Sequence, residues 1–132
     1  MVPVELVRII VNETRGDSVI ILQETGGARA FPIVIGYLEA FAIKQRIEDI
    51  DVKRPLTHDL AASLIKELGA SITRVLVNDL EDNTFYARIY LAKNGTEIEV
   101  DSRPSDAIAL AVRFKAPLFV ENAVFEKLGA SS

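Results

Sequence analysis

The stretch Ser71–Asp101, SITRVLVNDLEDNTFYARIYLAKNGTEIEVD, decides the fold class. Val75 and Val77, then Phe85, Ala87, Ile89 and Leu91, alternate with polar neighbours as strands with one buried face do. Asn94-Gly95 is a two-residue hairpin signal, because both residue types tolerate the positive φ of a type I′ turn, and Asp82-Asn83 makes a second link of the same length. Ser71–Leu80, Thr84–Lys93 and Thr96–Asp101 therefore read as a β-meander.

Working outward, Val2–Asn12 reads as a strand rich in β-branched residues whose alternation breaks between Leu6 and Ile9, as a bulge would break it. Arg15-Gly16-Asp17 turns the chain into a second strand, Ser18–Glu24, and Gly26-Gly27 turns it into a third, Arg29–Ile35. Pro32 lacks an N–H and places this third strand at a sheet edge. At Gly36 the period changes: apolar residues at 40, 43, 47 and 50 predict a helix over Tyr37–Ile50. Asp51–Pro55 is a polar break. A second helix follows, with Thr57 as N-cap, Leu60, Leu64, Ile65 and Leu68 on one apolar face, and Gly69 closing it in the left-handed position. Downstream, Pro104–Lys115 is a third helix whose unbroken apolar run Ala107–Val112 predicts cover on more than one side. Pro117–Val120 is a short buried strand, and Asn122–Leu128 a last helical segment ending at Gly129. Strands and helices come in blocks, so the class is α+β: a single domain over 1–132 with a largely antiparallel sheet and three to four helices.

With 132 residues, the chain can bury roughly 65 to 70% of its unfolded surface without staples. The absence of cysteine excludes zinc ribbons, thiol nucleophiles, iron–sulfur clusters and disulfide scaffolds. Fifteen Lys plus Arg against nineteen Asp plus Glu give a net charge of -4, which argues against capture of nucleic acid by bulk electrostatics. No apolar run approaches the ~20 residues that span a bilayer, so a soluble cytoplasmic protein without membrane contact is expected. A 49% hydrophobic content, and a tail from Val120 to Leu128 that needs covering, point to a homodimer.

One short pattern recurs. Arg54-Pro55-Leu56-Thr57-His58-Asp59 opens the second helix and Arg103-Pro104-Ser105-Asp106 the third. Capping accounts for the Pro, the hydroxyl and the Asp, but not for the arginines or the single histidine. An Arg beside free helix N–H groups suits a phosphate or carboxylate. His58 is the one side chain whose ordinary pKa lies near neutrality, so any imidazole base must be this residue. Asp101 and Asp106, five residues apart across an Arg-Pro turn, can make half of a Mg²⁺ site, whereas Asp79 and Asp82 read as turn residues.

Four strings taken together, FPIVIGYLEAFAI, RPLTHDLAASLIKELGA, VLVNDLEDNTFYARIYL and VDSRPSDAIALAVRFKAPLFV, resemble in order and spacing the bifunctional nuclease domain family. The resemblance covers about Val2–Phe125 and implies an α+β domain, found mostly in bacteria and in plants, with a member that cuts both RNA and DNA. It implies hydrolysis of phosphodiester bonds of RNA and/or DNA, and the acidic charge balance makes RNA and/or single-stranded DNA a weakly bound partner. It brings no agreed catalytic set, so the roles are read from residue types. Asp101 and Asp106, joined by Asp59 or Glu39, would bind Mg²⁺ or Mn²⁺. His58, or Asp59 as a spare carboxylate, would take a proton from water. Arg54 and Arg103 would hold the substrate and stabilise the charged transition state. Tyr86 or Phe85 would stack on an unpaired base. A different class of reading makes the chain a non-catalytic module whose Arg-Pro helix starts hold an anion or a partner's carboxylate. In another version it is an oligomeric scaffold whose Ala107–Val112 helix packs between subunits.

Overall fold

The structure is a computed structural model and describes residues 1–12, 14 and 17–129; the turn signal at Arg15-Gly16 lies outside the described residues. The strands are β1 (Val2–Ile10), β2 (Asp17–Glu24), β3 (Ala30–Gly36), β4 (Ser71–Glu81), β5 (Thr84–Lys93), β6 (Thr96–Ser102) and β7 (Leu118–Val120). The helices are α1 (Tyr37–Ile47), α2 (Thr57–Glu67), α3 (Pro104–Phe114) and α4 (Asn122–Gly129). They confirm an α+β domain with one mostly antiparallel, curled seven-stranded sheet in the order β3-β2-β1-β7-β4-β5-β6.

Two meanders make up this sheet. β3, β2 and β1 pair antiparallel, with Pro32-bearing β3 at the edge and a register shift between Leu6 and Arg8 in β1. β4, β5 and β6 form the other meander, and Asp82, Asn83, Asn94 and Gly95 all take positive φ in its turns. The three residues of β7 join the two, antiparallel to β1 and parallel to β4. β6 carries Glu97, Glu99 and Asp101 at alternate positions along the free edge.

α3 is the centre of the packing. Ile108 and Ala109 enter the cluster of β1–β3, α1 and α4, while Ala107, Leu110 and Ala111 enter the cluster of β4, β5 and α2. Small alanines let neighbouring elements approach on several sides, so the apolar run is consumed inside one protomer. The expectation that this helix packs between subunits loses its basis. The tail is likewise covered by the chain itself: Val124 and Phe125 are buried, and the Phe125 ring packs edge-on against Phe31 at 5.4 Å.

Three helix expectations change. α1 ends at Ile47 because Asp49 takes a left-handed φ of 53°, and both Ile47 and Ile50 are exposed. Neither Thr57 nor Ser105 caps a helix: the extended residues are Leu56 and Arg103, one position or more earlier. In α2 the leucines expected inside point out, with Leu60, Leu64 and Leu68 all more than half exposed, while Ala62 is buried and His58 and Asp59 are half-buried. Gly69 does close α2 at φ 80°.

Ile108→Ala should lower the unfolding free energy by about 2–5 kcal/mol, the usual cost of truncating a fully buried aliphatic. Because α3 belongs to both clusters, urea unfolding followed by fluorescence and by circular dichroism should keep one coincident transition. Two separated transitions would show that the halves fold independently.

Candidate functional site

Both Arg-Pro motifs build helix starts, but in different registers. In α3, Arg103 is the extended N-cap (φ -71°, ψ 146°), Pro104 the first helical residue and Asp106 the third. An N-cap side chain reaches the third helical residue, and Arg103 Nε donates to Asp106 Oδ2 at 2.8 Å. In α2 the spacing from Arg to Asp is two residues longer. Leu56 is the N-cap, its N–H donating to Asp59 Oδ2 at 2.9 Å, and Arg54 falls outside the first turn.

The two first turns meet. His58 Nε2 lies 2.9 Å from Asp106 Oδ1, and the other oxygen of Asp106 holds Arg103, whose Nη2 also donates to Glu39 Oε1 at 3.3 Å. Glu39 comes from the first turn of α1 and folds back over Gly36, where a Cβ would collide with its Oε2. Glycine thus leaves room for the carboxylate that steadies Arg103. These groups edge a cavity of about 570 Å³ with apolar walls from Leu38, Phe41, Leu56, Ala61 and Leu110. The side chain of His58 is 16% exposed, that of Asp106 31% and that of Arg103 66%. Asp106 and then Glu39 push the Arg103 guanidinium further above its ordinary pKa, so it is a permanent cation.

Next to His58, Asp59 turns the other way and binds Arg113 of α3 at 2.8 Å. Arg113 is 2% exposed in its side chain; Nη1 donates to Ala109 O, and Nη2 to Ala42 O and Gln45 Oε1. Burial works to raise the Asp59 pKa, but the Leu56 N–H and the Arg113 guanidinium outweigh it and hold the carboxyl below its usual range. Arg113 is absent from the residues singled out by sequence. The available signal was an arginine following an apolar run on a helix that had to be covered on all sides, where a charge needs a partner.

The structure therefore brings together His58, Asp106, Arg103 and Glu39, and leaves the other candidates elsewhere. Asp59 is consumed by Arg113. Asp101 pairs across from exposed Arg88, so strand alternation puts it on the sheet face turned away from the helices, apart from Asp106. Tyr86 shares the parity of Arg88 and is exposed there, while the Phe85 ring stacks on Phe31 at 5.5 Å in the core. Arg54 lines a neighbouring cleft. As for a divalent cation, the described residues contain no cluster of three or more His, Asp or Glu side chains placed to hold one. Glu39 and Asp106 are both engaged by Arg103, so this donor set does not fit a built metal cage.

Comparison with known proteins adds a relationship. Residues 20–132 match the family described as the bifunctional nuclease domain. An uncharacterized protein of Mycobacterium tuberculosis is 41% identical over 126 residues, covering 96% of this chain and 75% of that protein. Bifunctional nuclease 1 of Oryza sativa is 26% identical over 110 residues, covering 81% of this chain and 33% of that protein. Bifunctional nuclease 2 of Arabidopsis thaliana is 26% identical over 106 residues, 78% of this chain and 32% of that one. The chain thus spans about a third of the length of these plant relatives.

Asp59→Asn should destabilise the fold by about 3 kcal/mol at neutral pH, since it strips a buried guanidinium of its anion. The Asp59 pKa is lowered on folding, so its contribution is complete above the unfolded value of about 3.9 and disappears as the pH falls through the folded value. Urea unfolding across pH 7 to 2.5 should show wild type and variant converging only below about pH 4.

Proposed function

We propose that this chain, which belongs to the bifunctional nuclease domain family, hydrolyses phosphodiester bonds of RNA and single-stranded DNA at the cavity edged by His58. The observation that carries the reading is the continuous chain of contacts His58, Asp106, Arg103, Glu39 along one wall of an otherwise apolar cavity. Each member suits a part of phosphoryl chemistry. A carboxylate accepts but does not donate, so Asp106 orients His58 with the proton on Nε2 and leaves Nδ1 as the basic nitrogen. Nδ1 takes a proton from water as its oxygen attacks phosphorus. The leaving oxygen of the broken P–O bond is protonated by solvent or by the imidazolium, which restores the base. Using water in place of a 2′-hydroxyl makes the same site competent for RNA and DNA.

Arg103 opposes the negative charge that builds on the phosphate oxygens, and its two carboxylate partners hold the guanidinium in place before substrate arrives. Leu38, Phe41, Leu56 and Leu110 offer apolar surface to a base or sugar next to the scissile phosphate. No step is assigned to a metal, because the carboxylates that would ligate it are committed to arginine. A weakly held Mg²⁺ or Mn²⁺ would have to arrive with the substrate phosphate and displace Arg103.

The test is cleavage of end-labelled single-stranded RNA and DNA by wild type, His58→Ala and Asp106→Ala in Mg²⁺, in Mn²⁺ and in EDTA. Loss of the general base should slow cleavage by about 10² or more, with EDTA leaving the wild-type rate in place. Folded variants that cut at the wild-type rate would remove these roles. Stoichiometric binding of the oligonucleotide without any cleavage would favour the anion-binding module. Abolition of cleavage by EDTA with rescue by Mn²⁺ would recast Glu39 and Asp106 as ligands.

A further inference from the structure

Where Leu56, Thr57 and His58 border the first cavity, Arg54 and Pro55 immediately before them border a second cleft of about 410 Å³. Its walls are the end of α1, the 48–56 loop and the flank of α2 opposite Thr57, with Arg113 and Asp59 at its base. That ion pair is closed on itself, so the charge of the cleft is set by its rim. Arg46, Lys53, Arg54 and Lys66 stand there, all exposed, against the two carboxylates of Asp49 and Asp51. Lys53 and Arg54 make no hydrogen bond or ion pair among the described residues. Arg46 likewise makes no hydrogen bond or ion pair among the described residues, and Lys66 rests over the Phe114 ring at 5.1 Å. A rim carrying two more cations than anions is a local reversal in a chain whose net charge is -4.

The loop that presents these cations is built rather than loose. Buried Gln45 donates from Nε2 to Ile50 O at 2.8 Å, and Ile50 N–H donates back to Gln45 O at 2.9 Å. This reciprocal pair fixes the entry of the loop, and the Leu56 N–H to Asp59 bond fixes its exit. Arg54 is then held just before the turn that carries His58. Lys53 and Arg54 stand on a fixed loop just before the Leu56–His58 segment that borders the cavity, where exposed cations can meet backbone phosphates of a strand that extends past it.

We infer that this cleft is a flanking-phosphate subsite, which holds backbone phosphates of the same strand whose scissile phosphate lies at His58; the inference rests on the nuclease reading for the identity of the strand. Arg54 is accordingly a substrate-binding residue outside the reacting centre, joined by Arg46 and Lys53, which the sequence motifs do not single out. Since the contacts go to phosphate, the subsite discriminates by strand length and not by base.

The experiment is equilibrium binding by fluorescence anisotropy, in EDTA, using His58→Ala protein so that turnover does not consume the probe. The probes are a labelled 12-nucleotide single strand and a dinucleotide, titrated over a range of salt. Adding Arg46→Gln, Lys53→Gln and Arg54→Gln should weaken binding of the 12-mer about tenfold or more at low salt. It should also flatten the slope of log K against log salt by about 2, from three contacts at about 0.7 each, and leave dinucleotide binding unchanged. A control triple of exposed cations elsewhere, Arg8→Gln, Lys93→Gln and Lys115→Gln, should have a much smaller effect. Lys53→Gln alone, on a side chain with no hydrogen bond or ion pair among the described residues, should flatten the slope by about 0.7 even if the triple variant folds poorly. Unchanged affinity and slope, or an equal loss in the control triple, would overturn the subsite. Cleavage by His58→Ala at the wild-type rate would instead strike the catalytic reading and leave the binding comparison to stand on its own.

Discussion

A guanidinium taken out of water must find partners for its donors, and Arg113 does so by drawing three helices together. It bonds Ala109 of its own helix, Ala42 and Gln45 of α1, and Asp59 at the third position of α2. Removing one partner strands the rest, because an unpaired buried charge costs several kcal/mol. The first turn of α2 is therefore a polar anchor that adds to the packing of Ala61, Ala62 and Ile65 further along the helix. His58 precedes Asp59, so the contact that seats the helix also delivers the imidazole to Asp106. Gln45, which accepts from Arg113, also pins the loop through Ile50. Site and cleft both inherit their geometry from one side chain.

This hierarchy explains which parts of the molecule were readable from the sequence. The meander was legible because alternation and Asn94-Gly95 are local signals that tertiary packing did not oppose. The buried side of α2 was not legible. Leu60, Leu64 and Leu68 satisfy a helical period, yet Ala61 and Ala62 allow closer approach to α3, and the pairs made by His58 and Asp59 turn that flank inward. Polar pairing at the helix start overrode the apolar stripe. The two arginines that looked equivalent separate for a simpler reason: a separation of three positions from Arg103 to Asp106 spans about one helical turn, and a separation of five from Arg54 to Asp59 exceeds it. The placement of Asp101 was in principle readable, since Ile98 and Val100 share the parity of buried Leu91 and Ile89 and put Asp101 on the reverse face.

Both edges of the sheet carry features that oppose further pairing. Pro32 withholds a donor on β3, and the acidic residues of β6 would face like charges in a second copy placed edge to edge. Growth of the sheet by strand addition is thus disfavoured at either end. Exposed apolar side chains are spread over the surface, from Val34 on β3 and Leu38 on α1 to Leu60, Leu64 and Leu68 along α2 and Ile98 and Val100 on β6.

β7 has only three residues, yet among the described residues no other strand pairs with both meanders. Its partners lie more than a hundred residues upstream in β1 and about forty upstream in β4. During synthesis the first 117 residues can form hairpins and helices, but the continuous sheet must await the arrival of Leu118 to Val120. Closure is consequently a late and non-local event, which the chain-entropy cost of long loops makes slow relative to hairpin formation. A nascent chain stalled before that point would expose the inner edges of β1 and β4; β4 carries no proline, whereas β1 has Pro3 within the segment that pairs with β7. The interval between the two meanders and the seam that joins them is where this protein would be most in need of a chaperone.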